Sequence, residues 1–373
     1  MYHPFHVTRV AAHFEPSSAV AESALLRVDN LAVSYPGRNG DASPRHFAVN
    51  GVSLRVYPRQ TVAVVGESGC GKSMTALSIM RLIPQVGYID RGEIFLHDRD
   101  LLKLTPRQMR AVRGREIAMI FQEPMTSLNP VFTVGEQIIE AVTTHQDISR
   151  SDAAALAVNA MHEVGIPNPS ARLRDYPHQF SGGMRQRVMI AMALACQPKL
   201  LLADEPTTAL DVTIQAQVLA LLRRLQHERS MGMLLITHDL GVVANHADVV
   251  CVMYAGRVVE YASVFELFQR PLHPYTRGLL RCKPGLRERR QRLETVAELV
   301  NDPREFQMLP GAERDVIPWW PHHAYSGVSP LRRRGADECA LREAMPGHWV
   351  SCWCTDYVAA NPSRTPDLDE RRS

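Results

Sequence analysis

A buried strand, a glycine-rich octapeptide and a helix follow one another over residues 61–80, and that order restricts the chain to an open α/β architecture. Thr61-Val62-Ala63-Val64-Val65 is an apolar run that reads as a buried strand. Gly66-Glu67-Ser68-Gly69-Cys70-Gly71-Lys72-Ser73 fits G-x-x-x-x-G-K-[ST], and Met74 to Met80 reads as the helix that follows it. Glycines let the backbone close around an anion and aim its N–H groups inward, while the new helix adds its positive dipole end. Lys72 is placed to neutralise β/γ-phosphate charge, and the Ser73 hydroxyl to ligate Mg²⁺. The stretch is a nucleotide-binding loop.

Elements of the same kind lie on both sides. Leu25 to Tyr35 partly alternates and reads as a strand. The Gly- and Pro-containing segment 36–45 is a loop, and Phe47–Val49 and Val52–Val56 read as two short strands. Tyr35 ends its strand ahead of the phosphate loop; packing is the commoner role for such a ring, and stacking on an adenine is the alternative. Gly92–Leu96 and Arg115–Gln122 read as further strands. Thr105-Pro106 opens a helix, with Thr at the N-cap and Pro in the first turn. From about 133 to 180 the pattern is helical, with Leu156, Ala160 and Val164 on one face.

Three later stretches carry chemistry. In Phe180-Ser181-Gly182-Gly183-Met184-Arg185-Gln186, Ser181 caps a helix running through Cys196, so its start is a second potential anion site, though S-G-G alone is a common turn. Leu200 to Ala203 is an apolar strand ending in Asp204 and Glu205, a pair suited to Mg²⁺ binding and water activation respectively. Leu210-Asp211 opens a helix on which Val212, Ala216, Leu219 and Leu222 share an apolar face. Met233 to Asp239 is one more buried strand, with His238 near its end; such a histidine is usually structural, but beside phosphates it can bond the γ-phosphate.

Composition narrows the class. At 373 residues, one large domain plus a smaller one is expected. A net charge of +3 gives no argument for a nucleic-acid partner. No apolar run approaches the ~18 residues of a membrane span, and the N-terminal residues 1–22 read as a leader without the apolar core of a signal peptide. Seven scattered cysteines suit a reducing compartment.

Taken together, residues 24–281 resemble the nucleotide-binding subunit of an ATP-binding-cassette (ABC) transporter, with each element in the family's order. The resemblance implies a P-loop NTPase core with an antiparallel β subdomain and an α-helical subdomain, plus a small C-terminal extension. It divides the chain into a leader (1–22), a cassette (23–270, helical subdomain about 125–182) and the extension (271–373). It implies that Tyr35 stacks on adenine and that Gly66 to Ser73 bind the phosphates of ATP with Mg²⁺. Gln122 resembles the residue that senses the metal and the membrane partner. Ser181, Gly182 and Gly183 resemble the signature loop, with Met184 at the common Gln position. Asp204 resembles the metal-binding aspartate, Glu205 the catalytic base, Ala209-Leu210-Asp211 the D-loop and His238 the switch histidine. Family members pair head to tail, so the signature loop of one cassette faces the nucleotide of the other.

Tyr176-Pro177-His178-Gln179, the run Glu123 to Pro130 and His273-Pro274-Tyr275-Thr276 are similar to oligopeptide, dipeptide and nickel importers. That subgroup implies a peripheral ATPase on the cytoplasmic face of the cell membrane. Its partners are permease subunits, an external solute-binding protein and a second cassette. The alternative is a soluble ABC-type ATPase acting on nucleic acid or ribosomes; the single phosphate loop, lack of heptads and balanced charge favour transport. Cys339, Cys352 and Cys354, with Cys282 far upstream, echo the iron–sulfur cysteines of some subgroup tails. The upstream pair of that pattern is absent, so ordinary reduced thiols are the favoured reading.

Overall fold

The computed structural model describes residues 24–36, 45–122, 127–208, 210–282, 296–300, 305 and 341–351. In chain order these form β1 (Leu26–Tyr35), β2 (His46–Val56), β3 (Thr61–Val65), α1 (Lys72–Ile79), β4 (Tyr88–Leu96), β5 (Arg99–Asp100), α2 (Pro106–Val112) and β6 (Ile117–Ile120). Then come α3 (Val134–His145), α4 (Arg150–Glu163), α5 (Pro169–Arg172), α6 (Gly182–Leu194), β7 (Leu200–Asp204), α7 (Val212–Glu228), β8 (Gly232–Ile236) and α8 (Leu240–His246). The last are β9 (Val249–Tyr254), β10 (Arg257–Ser263), α9 (Val264–Gln269), α10 (Pro274–Arg281), α11 (Val296–Val300), β11 (Leu341–Met345) and β12 (His348–Ser351).

Two sheets result. β2-β1-β4-β5 is antiparallel throughout, and β11-β12-β10-β9-β3-β8-β7-β6 is the larger. Its β9, β3, β8, β7 and β6 run parallel, while β10, β12 and β11 add antiparallel strands at one side. All five residues of each of β3, β7 and β8 are buried, as strands covered on both faces require. A core between the sheets takes Leu26, Val33, Val62, Ile79, Ile94 and Leu234, among others. A second core joins α3, α4, α6 and α7, and a third lies beyond β3 and β9 with Tyr275 in it.

Local chemistry sets several boundaries. Thr105 and Thr133 each form a capping box, with Gln108 and Glu136 respectively. The carbonyls ending α1 accept from Arg113, whose Nε reaches Met80 O and whose guanidinium reaches Arg81 O, both at 2.9 Å.

The structure corrects four expectations of local structure. Residues 46–56 form one strand rather than two, because Gly51 takes φ +80° and the pairing absorbs it as a register shift. β6 is shorter than 115–122, spanning Ile117–Ile120. The buried residues of α4 are Ala153, Ala157, Ala160 and Met161, with Leu156 only half-buried at their margin. In α7 the buried face starts late: Leu219 and Leu222 of the expected face are buried with Val218, Leu221 and Leu225, whereas Val212 is 82% exposed and Ala216 is exposed too. The first turns of this helix project past the core that its later turns build.

Candidate active site

Parallel strands collect the chemically marked residues at one end of the large sheet. The loop 66–71 leaves β3, Glu205 follows β7, His238 lies just beyond β8, and Gln122 follows β6. In open α/β folds ligands bind outside these carboxyl ends.

The loop is shaped by contacts that only glycine permits. Gly66 has φ +152°, and a Cβ there would come within 2.1 Å of the Met253 carbonyl and 2.7 Å of Cys70 Sγ. Gly71, which precedes α1, has φ +101°, and its Cβ would meet Ala48 O at 2.3 Å. The Cys70 carbonyl accepts from Gly256 N–H at 3.0 Å, so the β9–β10 turn pins the middle of the loop. Glu67, Ser68 and Gly69 are exposed between these anchors.

Lys72 is buried, and its ammonium donates to Gly66 O at 2.8 Å and Glu67 O at 2.7 Å, with Cys70 Sγ at 3.7 Å. The charge is thereby held inside the loop's curve. Burial pushes the Cys70 thiol up, against the lowering effect of Lys72, so the sulfur is a neutral filler there.

Asp204 is 4% exposed. Burial pushes its carboxyl up, the Ser73 hydroxyl that donates to it acts against this, and neighbouring Glu205 adds to the rise. One oxygen, Oδ1, is buried without a hydrogen-bond partner. A buried orphan acceptor beside a hydroxyl is a donor set that fits a small hard cation such as Mg²⁺.

Glu205 has φ +46°, a left-handed conformation uncommon for this residue type and typical of functional turns. Its Oε2 accepts from Gln122 Nε2 at 3.2 Å and Thr208 Oγ1 at 2.8 Å, and its Oε1 lies 3.1 Å from His238 Nδ1. Burial raises the Glu205 pKa, but the bonds from His238 and Thr208, helped by the charges of His238 and Lys72, outweigh it. The carboxyl therefore lies below its usual range and is ionised. Sequence reasoning found Gln122, Glu205 and His238 separately; it missed Thr208, which gave no signal beyond following the acidic pair.

The structure thus gathers the loop, Asp204, Glu205, Gln122 and His238. It does not bond the remaining expected residues to that group. Ser181 caps α6, its hydroxyl accepting from Met184 N–H at 3.4 Å, and Asp211 caps α7 by accepting from Ile214 N–H at 2.9 Å. Both caps are exposed. Gly182 is open, while a Cβ at Gly183 would meet Ile214 Cγ2 at 2.8 Å, so α6 and α7 start side by side. Half-buried Tyr35 donates its hydroxyl to Met74 Sδ at 3.1 Å, and its ring lies against Gly87. The ring therefore lies beside α1.

Cys282 caps α10; Cys339, Cys352, Cys354 and Ala209 lie outside the described residues. Among the described residues no group of three or more His, Cys, Asp or Glu side chains is placed to hold a metal ion. No helix among them is long and apolar enough to cross a membrane.

Residues 49–208 match the ABC transporter family, and residues 259–311 match the oligopeptide/dipeptide transporter C-terminal region. The dipeptide transport ATP-binding protein DppD of Bacillus subtilis is 51% identical over 349 residues, 93% of this chain and 99% of that protein. The oligopeptide transport ATP-binding protein OppD of the same organism is 54% identical over 263 residues, 70% of this chain and 72% of its own. Among solved structures, the ATP-binding cassette MJ0796, in a dimeric post-hydrolysis state bound to ADP and Pi, superposes with a TM-score of 0.57. That match is 25% identical and covers 64% of this chain and 98% of the cassette.

Proposed function

This chain belongs to the ATP-binding subunits of ABC transporters and is an ATPase, and from that premise we propose that it energises uptake of peptides or a related small solute through a partner permease. The solute class is supported by the likeness of both the cassette and the C-terminal region to peptide transport proteins. The observation that carries the mechanism is the meeting of Lys72, Asp204, Glu205, Gln122 and His238 at one end of the sheet.

In this reading the glycine loop and the start of α1 bind the phosphates of ATP. Lys72 exchanges its two carbonyl partners for β/γ-phosphate oxygens. Tyr35 meets the adenine, and Ser73, Asp204 and Gln122 hold Mg²⁺, which supplies charge neutralisation on the phosphates. Glu205, ionised and oriented by Thr208 and His238, accepts a proton from the attacking water as the bond between the γ-phosphorus and the ADP oxygen breaks. His238 then bonds the phosphoryl oxygens.

A second cassette completes the site in this reading. Ser181, Gly182, Gly183 and Asp211 stand on exposed helix starts, and the bare Val212 beside them is an apolar surface suited to burial against another copy or a sister subunit. Donors from two chains spread the transition-state charge, and closure excludes water. The subunit sits peripherally on the cytoplasmic face of the membrane, with a solute-binding protein selecting the cargo outside.

Affinity purification of the tagged chain from detergent-solubilised membranes tests this directly. The expected co-purifying proteins, read by mass spectrometry, are a permease and a solute-binding protein. Recovery only with ribosomes or DNA would refute the transport reading and leave the ATPase site standing.

A further inference from the structure

One hydrogen bond connects the phosphate loop to a residue 208 positions away. The Glu67 N–H, second in the loop, donates to the Tyr275 hydroxyl at 2.9 Å. Tyr275 is completely buried, the second residue of α10. Its ring lies tilted against Tyr254 with centroids 4.7 Å apart, in the core that also takes Val65, the residue from which the loop departs.

The position of Tyr275 is itself fixed by buried polar groups. His273 caps α10, its Nδ1 accepting from Tyr275 N–H at 3.1 Å. Burial pushes His273 down to about 3, with Arg277 adding to the fall, so the ring is neutral and Nδ1 keeps its lone pair. The wholly buried carboxylate of Glu260, on β10, accepts from Leu272 N–H at 2.7 Å and His273 N–H at 3.0 Å. It also lies 2.7 Å from Nε2 of His348, another wholly buried residue, on β12. Polar contacts therefore run from the C-terminal strand pair through Glu260 and the α10 cap to Tyr275 and the loop.

We propose that Tyr275 is a positioning residue for the phosphate loop, holding the Glu67 N–H turned away from the anion so that the remaining N–H groups stay preset for phosphate. Glu67 to Gly69 are exposed; the Glu67 carbonyl is held by Lys72 Nζ at 2.7 Å and Cys70 N–H at 3.3 Å, and the bond to Tyr275 restrains the other side of that residue, its amide. A phenylalanine fills the same core space, so the hydroxyl serves the loop rather than the packing. Losing a restraint of this kind lets the loop sample arrangements that do not bind, which lowers apparent affinity in proportion. The net worth of such a hydrogen bond corresponds to roughly a threefold to tenfold change in an equilibrium constant.

The inference rests on the ATP-binding reading, and the test separates the two. Hydrogen exchange on the full chain without added nucleotide is compared between wild type and Tyr275→Phe. Expected is faster exchange at the Glu67 amide with unchanged protection in β3. Equilibrium binding of a fluorescent ATP analogue should weaken about threefold to tenfold, and steady-state ATPase assays should show KM rising while kcat stays within about twofold. Tyr261→Phe, which removes a buried hydroxyl donating to Arg55 O on the far side of the sheet, should change none of these. Unchanged Glu67 exchange, unchanged affinity, or a kcat loss at constant KM would each overturn the assignment. Failure of the wild type to bind the analogue would instead refute the ATP reading, while the exchange result still decides whether Tyr275 restrains the loop.

Discussion

Alanine at Gly66 and at Gly69 makes a matched pair, because both glycines have positive φ but only one is sterically enclosed. At Gly69, φ is +79° and an added Cβ meets nothing within 4 Å, so the cost is backbone strain alone, about 1–2 kcal/mol. At Gly66, φ is +152° and the Cβ would lie 2.1 Å from Met253 O. An ordinary carbon–oxygen contact is about 3.3 Å, so some group must give by about 1.2 Å. That oxygen is backbone near the end of β9, where Met253 pairs with Val258 of β10, and cannot swing away as a flexible side chain could. Overpacking of this kind adds about 1–3 kcal/mol to the strain. Gly66→Ala should therefore lose about 2 kcal/mol more than Gly69→Ala, a shift of up to ~30-fold in the unfolded fraction. Urea unfolding followed by far-ultraviolet circular dichroism measures the difference. Equal losses in the two variants would refute the claim that the β9 carbonyl defines the loop's geometry.

The site makes three further predictions. Glu205→Gln should still bind ATP and accumulate as an ATP-bound dimer, while turnover falls by about 10²–10⁴-fold because the proton acceptor is gone; a variant that turns over at the wild-type rate would remove Glu205 from the chemistry. Lys72→Ala should abolish ATP turnover, and normal activity in it would move the phosphate site elsewhere. The third concerns pH. With His273 held to about 3 when folded and about 6.5 when unfolded, the unfolded state takes up a proton first as pH falls, so stability present above pH 6.5 is lost towards pH 3. Between pH 7.5 and 5.5 this one residue should cost about 1.4 kcal/mol. His273→Asn, which keeps an acceptor for Tyr275 N–H, should lose that much less across the interval in denaturant titrations; identical pH slopes would refute the buried neutral histidine.

The fully buried strands and the loop were legible because their composition admits one solution: β3 after Thr61, β7 up to Asp204 and β8 after Gly232 are unbroken apolar runs. Capped helix starts at Thr105, Ser181 and Asp211 were legible for the same local reason. What could not be read was tertiary. Periodicity alone places Val212 and Ala216 on the apolar face of α7, but the core reaches only the later turns. His273-Pro274-Tyr275-Thr276 stood out in the sequence as the mark of a subgroup. Its actual partner, the Glu67 amide, is set by how α10 packs against β3, and nothing local encodes that. The contact of Gln122 with Glu205 likewise depends on two strands, β6 and β7, becoming neighbours.

The place of β12 in the large sheet bears on how the chain is made. β12 covers the outer side of β10, and its His348 meets a Glu260 that emerges from the ribosome 88 residues earlier. At about 5–20 residues per second, β10 waits roughly 4–18 s for that neighbour. Throughout the interval its outward N–H and C=O groups form an unpaired strand edge, and a carboxylate destined for the interior has no histidine beside it. The cassette therefore keeps one strand edge exposed until late in its own translation. Slow synthesis of the tail, or a premature stop ahead of residue 341, would prolong that exposure even though every residue of the nucleotide site had already been made.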